Sequence, residues 1–136
     1  MDAYQIRFPL ASTPLGASTA RRRLVDGMRA WAEVLDQEVL DAAEVVVAEL
    51  LANAVQHAGG TVIVARARLD FDGLVVDVID ASPVSPTVDS PGLEAEHGRG
   101  LFLVAALADR HGIEPLPPGK RCWAQFKVGA PMPAAS

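Results

Sequence analysis

Cysteine, basic charge and long apolar runs are all scarce in this sequence. Its single cysteine, Cys122, cannot form an internal disulfide or a cysteine-based zinc site, so we interpret it as a small buried apolar residue. No apolar stretch approaches the ~20 residues that span a bilayer. The N-terminus also lacks a basic start followed by a long apolar segment. These absences predict a cytoplasmic chain with no membrane span and no secretory signal.

The deficit of basic charge bears on the class of partner. Lys and Arg number 12 against 17 Asp and Glu, which gives a formal net charge of −5. Because nucleic acid and anionic membranes require a basic face, we expect no direct partner of either kind. The one basic run, Arg21-Arg22-Arg23, is either a solvated helix face or a docking patch for an acidic partner.

Apolar residues, by contrast, are plentiful enough for a core. Half of the 136 residues are hydrophobic, which is typical of one globular domain of this length. The last residues, "GAPMPAAS", show no periodic pattern. We predict a single domain over residues 1–129 and a disordered tail over residues 130–136.

A strand and two helices are predicted for the first half of the chain. "YQIRFPLAS" mixes β-forming and polar residues and ends at a turn, which favours a strand. Ser18 or Thr19 can cap a helix that runs through "ARRRLVDGMRAWAEVL". A second helix, roughly Asp36 to Ala58, is apolar enough to be largely buried. The apolar residues at three- and four-residue steps in the first helix are Leu24, Met28, Trp31 and Leu35.

The second half of the chain predicts paired strands and a third helix. "TVIVARARLD" and "LVVDVID" flank a short turn and predict an antiparallel hairpin. Residues 81–98 have no period and predict a lid or binding loop. "RGLFLVAALADRHG" predicts a helix ending at Gly112, followed by one or two strands around a Pro-Pro-Gly turn. This order predicts an α/β (α+β) two-layer sandwich, in which a mixed β-sheet carries helices on one face.

Three polar residues, Glu49, Asn53 and His57, interrupt the apolar second helix at four-residue steps. Each step advances about 40° around the helix, so the row drifts from the polar side towards the buried side. A carboxylate and a carboxamide one turn apart can hold a hydrated Mg²⁺. The carboxylate can also accept a proton from an attacking hydroxyl. The alternative is that Glu49 and Asn53 only line a solvated edge.

Two further features border the predicted loop. Asp80 ends a strand, where it can accept a hydrogen bond from an exocyclic amine such as that of adenine, or simply cap a turn. Gly98 and Gly100 precede a helix, whose N-terminal N–H groups and dipole favour phosphate. Loop flexibility is the alternative explanation for these glycines, because the chain has neither a complete dinucleotide fingerprint nor a P-loop.

Taken in order, these segments resemble the Bergerat-fold (GHKL) ATPases, the superfamily of histidine kinases, gyrase B and MutL. "ELLANAVQHA" resembles the N box of that superfamily, and "DVIDAS" and "HGRGLFLVAALADRHG" resemble its two glycine boxes. "GKRCWAQF" resembles its closing strand. The likeness covers nearly the whole chain and is greatest to the small anti-sigma-factor serine kinases. It implies the Bergerat ATP-binding fold, with ATP and Mg²⁺ as ligands.

The resemblance also implies a role for individual residues. Asn53 would bind Mg²⁺, Glu49 would be the general base, and Asp80 would hold the adenine amine. Residues 83–97 would form the ATP lid, and His57 would be mainly structural. The other positions implied in ATP binding are Ser82, Gly98, Arg99, Gly100 and Leu101.

The sequence departs from the superfamily pattern at two places. The first glycine box usually reads Asp-x-Gly-x-Gly, whereas here Asp80 is followed by Ala81, Ser82 and Pro83. The missing glycine would have let the backbone approach adenine closely. In the final strand, Arg121 stands where relatives often have Thr.

The resemblance implies an ATP-dependent serine/threonine-protein kinase that is also an anti-sigma factor. Such a protein would phosphorylate a STAS-type antagonist protein, mask a sigma factor and form a homodimer. The alternative is a non-catalytic module of the same fold that sequesters a partner, with or without ATP, and the altered glycine box favours it. A metabolic enzyme fits poorly, because no nucleophile–base constellation is visible around Cys122.

Overall fold

The computed structural model describes residues 4–58, 61–81 and 102–128. Residues 102–107 in this part of the chain form a short helical segment. The predicted lid at 83–97, the tail at 130–136 and the positions Ser82 and 98–101 lie outside the described residues. The longer elements, in chain order, are β1 (Gln5–Leu10), α1 (Pro14–Arg29), α2 (Gln37–Ala58), β2 (Ile63–Asp70), β3 (Gly73–Asp80), β4 (Arg110–Leu116) and β5 (Gly119–Phe126).

The described strands form one sheet in the order β1-β2-β3-β5-β4. All four pairings between them are antiparallel, so the two-layer α+β prediction is confirmed but the mixed sheet is wrong. Tight turns join β2 to β3 and β4 to β5, and a tight turn can only connect antiparallel strands. A parallel pair is usually connected by a single crossover helix. Here two helices connect β1 to β2, and β2 runs antiparallel to β1.

One face of the sheet is apolar and carries α1 and α2. Strand alternation places every second side chain of β2, β3 and β5 on this face. The core is continuous from the strands into both helices, which confirms helices on one face. The apolar core-face residues of the central strands that are at most 4% exposed are Ile63, Ala65, Ala67, Leu69, Leu74, Val76, Val78, Ala124 and Phe126.

A charged network lies on the opposite face of the sheet. Asp77 is only 4% exposed there, because Arg66 and Arg121 each donate a hydrogen bond to its carboxylate at 2.7 Å. Hydrogen bonding to the Asp77 carboxylate, with Arg66 as the donor, raises the pKa of the Arg66 guanidinium above its usual value. Arg121 also reaches Glu114 at 3.1 Å. Arg121 thus belongs to this network, on the face away from the helices.

Helix α1 begins and ends earlier than its periodicity predicts. The N-cap is Thr13, whose hydroxyl accepts a hydrogen bond from the N–H of Gly16 at 2.9 Å, rather than Ser18 or Thr19. Thr followed by Pro14 is a strong start signal, since proline suits the first helical position. The helix ends at Arg29, and residues 30–35 continue as turns. The four apolar positions of the predicted face are nevertheless buried: Leu24, Met28, Trp31 and Leu35.

Helix α2 matches its prediction closely. Asp36 caps it, because its carboxylate accepts a hydrogen bond from the N–H of Val39 at 2.9 Å. The third helix, in contrast, is predicted too long: the described segment 102–107 is helical, but β4 already begins at Arg110. Gly112 therefore lies inside a strand. No helix among the described residues is long and apolar enough to cross a membrane.

The basic run on α1 is engaged within the chain. Arg21 forms an ion pair with Glu44 of α2 at 3.1 Å, and the Arg23 guanidinium lies 5.2 Å from the centre of the Phe8 ring. Both contacts tie α1 to its neighbours. For two of the three arginines, these contacts within the chain make an external acidic partner unnecessary as an explanation.

Cys122 is buried on the core face of β5, as predicted. Burial raises the pKa of its thiol to about 11. We expect the folded protein to resist iodoacetamide near pH 8, where only about one such thiol in a thousand is ionised. The intact mass after exposure to the reagent measures this, with the urea-unfolded protein as the reactive control. Rapid modification of the folded protein would contradict the burial of this side chain.

Candidate functional site

Chain connectivity gathers the candidate site at one end of the sheet. Asp80 is the last residue of β3 and lies opposite Lys120, near the start of β5. Only residues 59–62 separate the end of α2 from β2, and so short a connection keeps the last turns of α2 near the start of β2. The start of β2 pairs with the end of β3. Asn53, in the last turns of α2, is therefore directed to the same end of the sheet as Asp80.

The polar row of α2 lies on the border of its buried face, as the spacing predicts. Val46, Leu50 and Ala54 are buried against the sheet, while Glu49 and Asn53 one position before are half-buried. Packing of the apolar neighbours thus fixes the backbone of this helix. The two polar side chains are held at the edge of the core and are not free on a solvated surface.

The side-chain oxygen of Asn53 is a buried polar atom that needs an explanation. This atom, Oδ1, accepts no hydrogen bond within the described part of the chain. A buried acceptor without a partner costs about 1–3 kcal/mol, so folding alone does not explain it. An amide oxygen of this kind is a suitable ligand for Mg²⁺, which prefers oxygen donors and keeps several waters.

Glu49 lies one helical turn before Asn53. No hydrogen bond or ion pair within the described residues engages its carboxylate, in contrast to Glu44, which holds Arg21 and Arg29. A half-buried carboxylate that is not committed to a cation can accept a proton. Glu49 therefore fits the role of general base in its chemistry and in its place on the helix.

A metal cage built only from protein side chains is absent from the described residues. They contain no cluster of three or more His, Cys, Asp or Glu side chains. A lone amide oxygen instead fits an ion that takes its remaining ligands from water and phosphate. The residues present therefore fit Mg²⁺ brought in with a phosphate ligand, with Asn53 as its protein ligand.

The strand-end carboxylate of Asp80 is paired with a cation. Its Oδ1 accepts a hydrogen bond from the Lys120 ammonium at 3.1 Å. The side chains of both residues are almost fully buried, at 1% exposed for Asp80 and 4% for Lys120. A cation thus engages Oδ1, one of the two oxygens of the carboxylate that the resemblance assigns to the adenine amine. The role of Asp80 towards adenine stays a prediction, and the ion pair is a feature that the resemblance does not imply.

Lys120 is the site residue that the sequence analysis missed. Strict alternation along "GKRCWAQF" puts Lys120 on the same face as the buried Cys122 and Ala124. Arg121, the departure singled out from the sequence, faces the other way. A lysine in register with buried apolar residues, directly opposite a strand-end aspartate, was the signal available in the sequence.

Gly119 makes the close approach of β5 to Asp80 possible. A Cβ atom at this position would lie 1.8 Å from the backbone oxygen of Asp80 and 2.5 Å from the Cα of Ala81. Neither backbone atom can move without displacing the end of β3. Glycine is therefore required here, because any side chain would separate the two strands that carry Asp80 and Lys120.

Gly119→Ala should destabilise the protein by at least about 2 kcal/mol, because overpacking against backbone cannot relax through a rotamer change. Thermal and urea unfolding measure the effect. Gly27→Ala is the matched control: its Cβ would meet only the tip of the Ile6 side chain, and the gain in helix propensity offsets that contact. Equal stability of the Gly119→Ala variant and the unchanged protein would contradict the close approach.

A cavity of about 260 Å³ lies alongside this end of β5. It is mainly apolar and opens between α2, the helical segment 102–107 and strands β4 and β5. Neither Asn53 nor Asp80 lines it. Its lining residues are Leu50, Val104, His111, Gly112, Ile113, Cys122 and Trp123.

Residues 11–126 match a family model described as "Histidine kinase-like ATPase domain". The match covers most of the chain and includes α2, Asp80 and Lys120. It agrees with the resemblance drawn from the N box and the glycine boxes.

A solved structure has a similar fold. It is the crystal structure of the RsbU and RsbW domains of Rv1364c from Mycobacterium tuberculosis, with a TM-score of 0.68 and 21% sequence identity. The alignment covers 93% of this chain and 33% of that one, so the chain spans about a third of the solved chain. At this identity the likeness supports the fold alone. No curated protein matches the chain.

Proposed function

Because the chain belongs to the family of histidine kinase-like ATPase domains, we propose that it binds ATP with Mg²⁺ and acts as a serine/threonine-protein kinase and anti-sigma factor. The observation that carries the proposal is the buried Oδ1 of Asn53, which has no hydrogen-bond partner among the described residues. A Mg²⁺ ion held by this oxygen would satisfy an acceptor that is otherwise unfavourable in a buried position. The anti-sigma part of the proposal rests on the resemblance of the N box and glycine boxes to the anti-sigma-factor serine kinases, and the solved structure that contains an RsbW domain agrees with it in fold.

In the proposed reaction, a serine or threonine hydroxyl of a STAS-type antagonist attacks the γ-phosphorus of ATP. The new oxygen–phosphorus bond forms as the bond to the β–γ bridging oxygen breaks, and ADP leaves. Glu49 would accept the hydroxyl proton, and Asn53 would hold the metal. Mg²⁺, when bound, offsets the negative charge that builds on the phosphate oxygens. Catalysis in such a site is mainly positioning, which the packed α2 provides.

The proposed partners follow from the same family relation. A STAS-type antagonist would be the substrate of phosphorylation, and a sigma factor would be the partner that the protein masks. We propose a homodimer as the functional unit. The formal net charge of −5 agrees with protein partners and argues against direct contact with nucleic acid.

A second candidate function is a partner-sequestering module without kinase activity. The ion pair between Lys120 and Asp80 favours it, because the carboxylate implied for adenine is already engaged. In that case, binding of the regulatory partner would need neither ATP nor Glu49.

Incubation with ATP labelled in the γ-phosphate and with candidate antagonist proteins separates the two functions. The kinase predicts labelled phosphoserine or phosphothreonine on the antagonist, and the label depends on Mg²⁺. The module predicts stable binding of a partner with no label transferred. Absence of transfer to every STAS-type protein tested, together with ATP-independent binding of a partner, would overturn the kinase assignment.

A further inference from the structure

The side chains of Lys120 and Asp80 form an ion pair that is buried in the protein. Both side chains lie on the core face of the sheet, next to Cys122 and Val78. Removing two charges from water is expensive, and a buried pair often contributes little net stability. The pair is therefore better explained by what it does at this position than by the stability that it adds.

The ammonium and the adenine amine are both donors, but they are unequal competitors. The 6-amino group of adenine is a neutral N–H donor, whereas Lys120 carries a positive charge. A hydrogen bond between two charged groups is roughly twice as strong as one between neutral groups. Displacing Lys120 would also leave a buried ammonium without its carboxylate, at a further cost. An adenine amine therefore cannot readily take over Oδ1 of Asp80.

The backbone is arranged to keep Lys120 in this place. Gly119 brings β5 against the end of β3, since a Cβ there would lie 1.8 Å from the oxygen of Asp80. Asp80 and Lys120 are then direct cross-strand partners, whose side chains point to the same face. The contact is thus fixed by strand register and by one glycine.

We propose that Lys120 is a specificity-determining residue, whose ion pair with the buried Asp80 carboxylate weakens that carboxylate as an acceptor for an amine and so removes the preference of this site for a 6-amino purine. The inference rests on the proposed function for the phosphate and Mg²⁺ half of the site. Nucleoside triphosphates would then bind through their phosphates, with little discrimination between adenine and a 6-oxo purine such as hypoxanthine.

The first test uses the unchanged protein. Calorimetric titrations with ATP and with inosine triphosphate, both with Mg²⁺, should give affinities within about threefold of each other. An aspartate that reads the amine would favour ATP by roughly tenfold to a hundredfold, the usual range for a hydrogen bond to a charged group. A preference for ATP of more than tenfold would overturn the inference.

The second test removes the ammonium. Lys120→Met should raise the affinity for ATP by about tenfold, with little change for inosine triphosphate. Lys127→Met is the matched control, since it removes the same charge from an exposed position and should leave both affinities unchanged. Loss of ATP affinity in a folded Lys120→Met protein would instead make Lys120 a nucleotide contact, contrary to the inference.

A second variant at Lys120 and a variant at Asn53 separate failure of this inference from failure of the proposed function. If Lys120→Met unfolds, Lys120→Gln replaces it, because glutamine retains a neutral donor and should show a smaller gain in ATP affinity. The ratio of the affinities for ATP and inosine triphosphate in the unchanged protein tests the inference in either case. The proposed function is read from Asn53→Ala. If ATP binds tightly and selectively and needs Asn53, only the inference about Lys120 fails. If no nucleotide binds to the unchanged protein or to any variant, both fail.

Discussion

Asn53→Ala should lower the affinity for ATP in the presence of Mg²⁺ by about a hundredfold or more, yet make the protein more stable. The loss follows if Oδ1 is the protein ligand of the metal, since changes around a metal ligand alone typically cost tenfold to a hundredfold. The gain in stability follows because the variant removes a buried acceptor without a partner. Alanine also has a higher helix propensity than asparagine. We expect about 1 kcal/mol of added stability.

Calorimetry for the nucleotide and urea unfolding for the stability measure the two effects. Gln56→Ala is the matched control, since it removes an exposed amide from the same helix and should leave the affinity unchanged. Unchanged affinity of Asn53→Ala for ATP in the presence of Mg²⁺ would contradict the role of Asn53 as a metal ligand. A marked loss of stability would show that the amide serves the fold instead.

Glu49→Gln should slow phosphoryl transfer to the antagonist by about a hundredfold to ten-thousandfold, the usual contribution of a general base. Glutamine keeps the size of the side chain and its hydrogen-bonding capacity, but it cannot accept the hydroxyl proton at neutral pH. Affinity for ATP should stay within about threefold, because no step of nucleotide binding uses this proton. The rate of label transfer under single-turnover conditions measures the effect.

Glu38→Gln serves as the control for Glu49→Gln. Glu38 lies in the first turn of the same helix and is exposed, so its variant carries the same charge change at a distance from the site. Transfer at the normal rate in Glu49→Gln would mean that the antagonist hydroxyl needs no base from this helix. A lower ATP affinity with an unchanged rate would assign Glu49 to binding.

Long apolar periods made α2 predictable from the sequence. Its apolar face is sustained over several turns, Asp36 is a good cap, and a Gly-Gly pair follows its end. The border position of Glu49 and Asn53 follows from the same periodicity. The hairpin of β2 and β3 was equally predictable, because two strand-like runs flank a short turn.

Two helix boundaries were predicted wrongly, because the prediction considered only the local sequence. Ser18 or Thr19 was predicted as the cap of the first helix, whereas Thr13 followed by proline starts α1. The predicted third helix extends through residues 108–112, but β5 offers a partner edge and β4 pairs with it from Arg110 onward. Tertiary pairing thus overrode local propensity at the end of the third helix.

The pairing of Asp80 with Lys120 depends on strand register. The sequence gives the alternation within each strand, but it does not state which residue of β5 lies opposite Asp80. A shift by one residue would put Arg121 on the core face instead of Lys120. The structure therefore adds the contact between Lys120 and Asp80, which bears on how Asp80 would bind adenine. The interpretation of Asn53 as a metal ligand is unchanged from the sequence analysis.

Calorimetric titration of the unchanged protein with a non-hydrolysable ATP analogue, with and without Mg²⁺, tests the central claim most directly. The claim is that this fold binds a nucleoside triphosphate through a metal held by α2. We predict measurable binding that weakens at least about tenfold when Mg²⁺ is removed. Equal affinity in the presence and absence of Mg²⁺, or no binding at millimolar nucleotide in either condition, would contradict it.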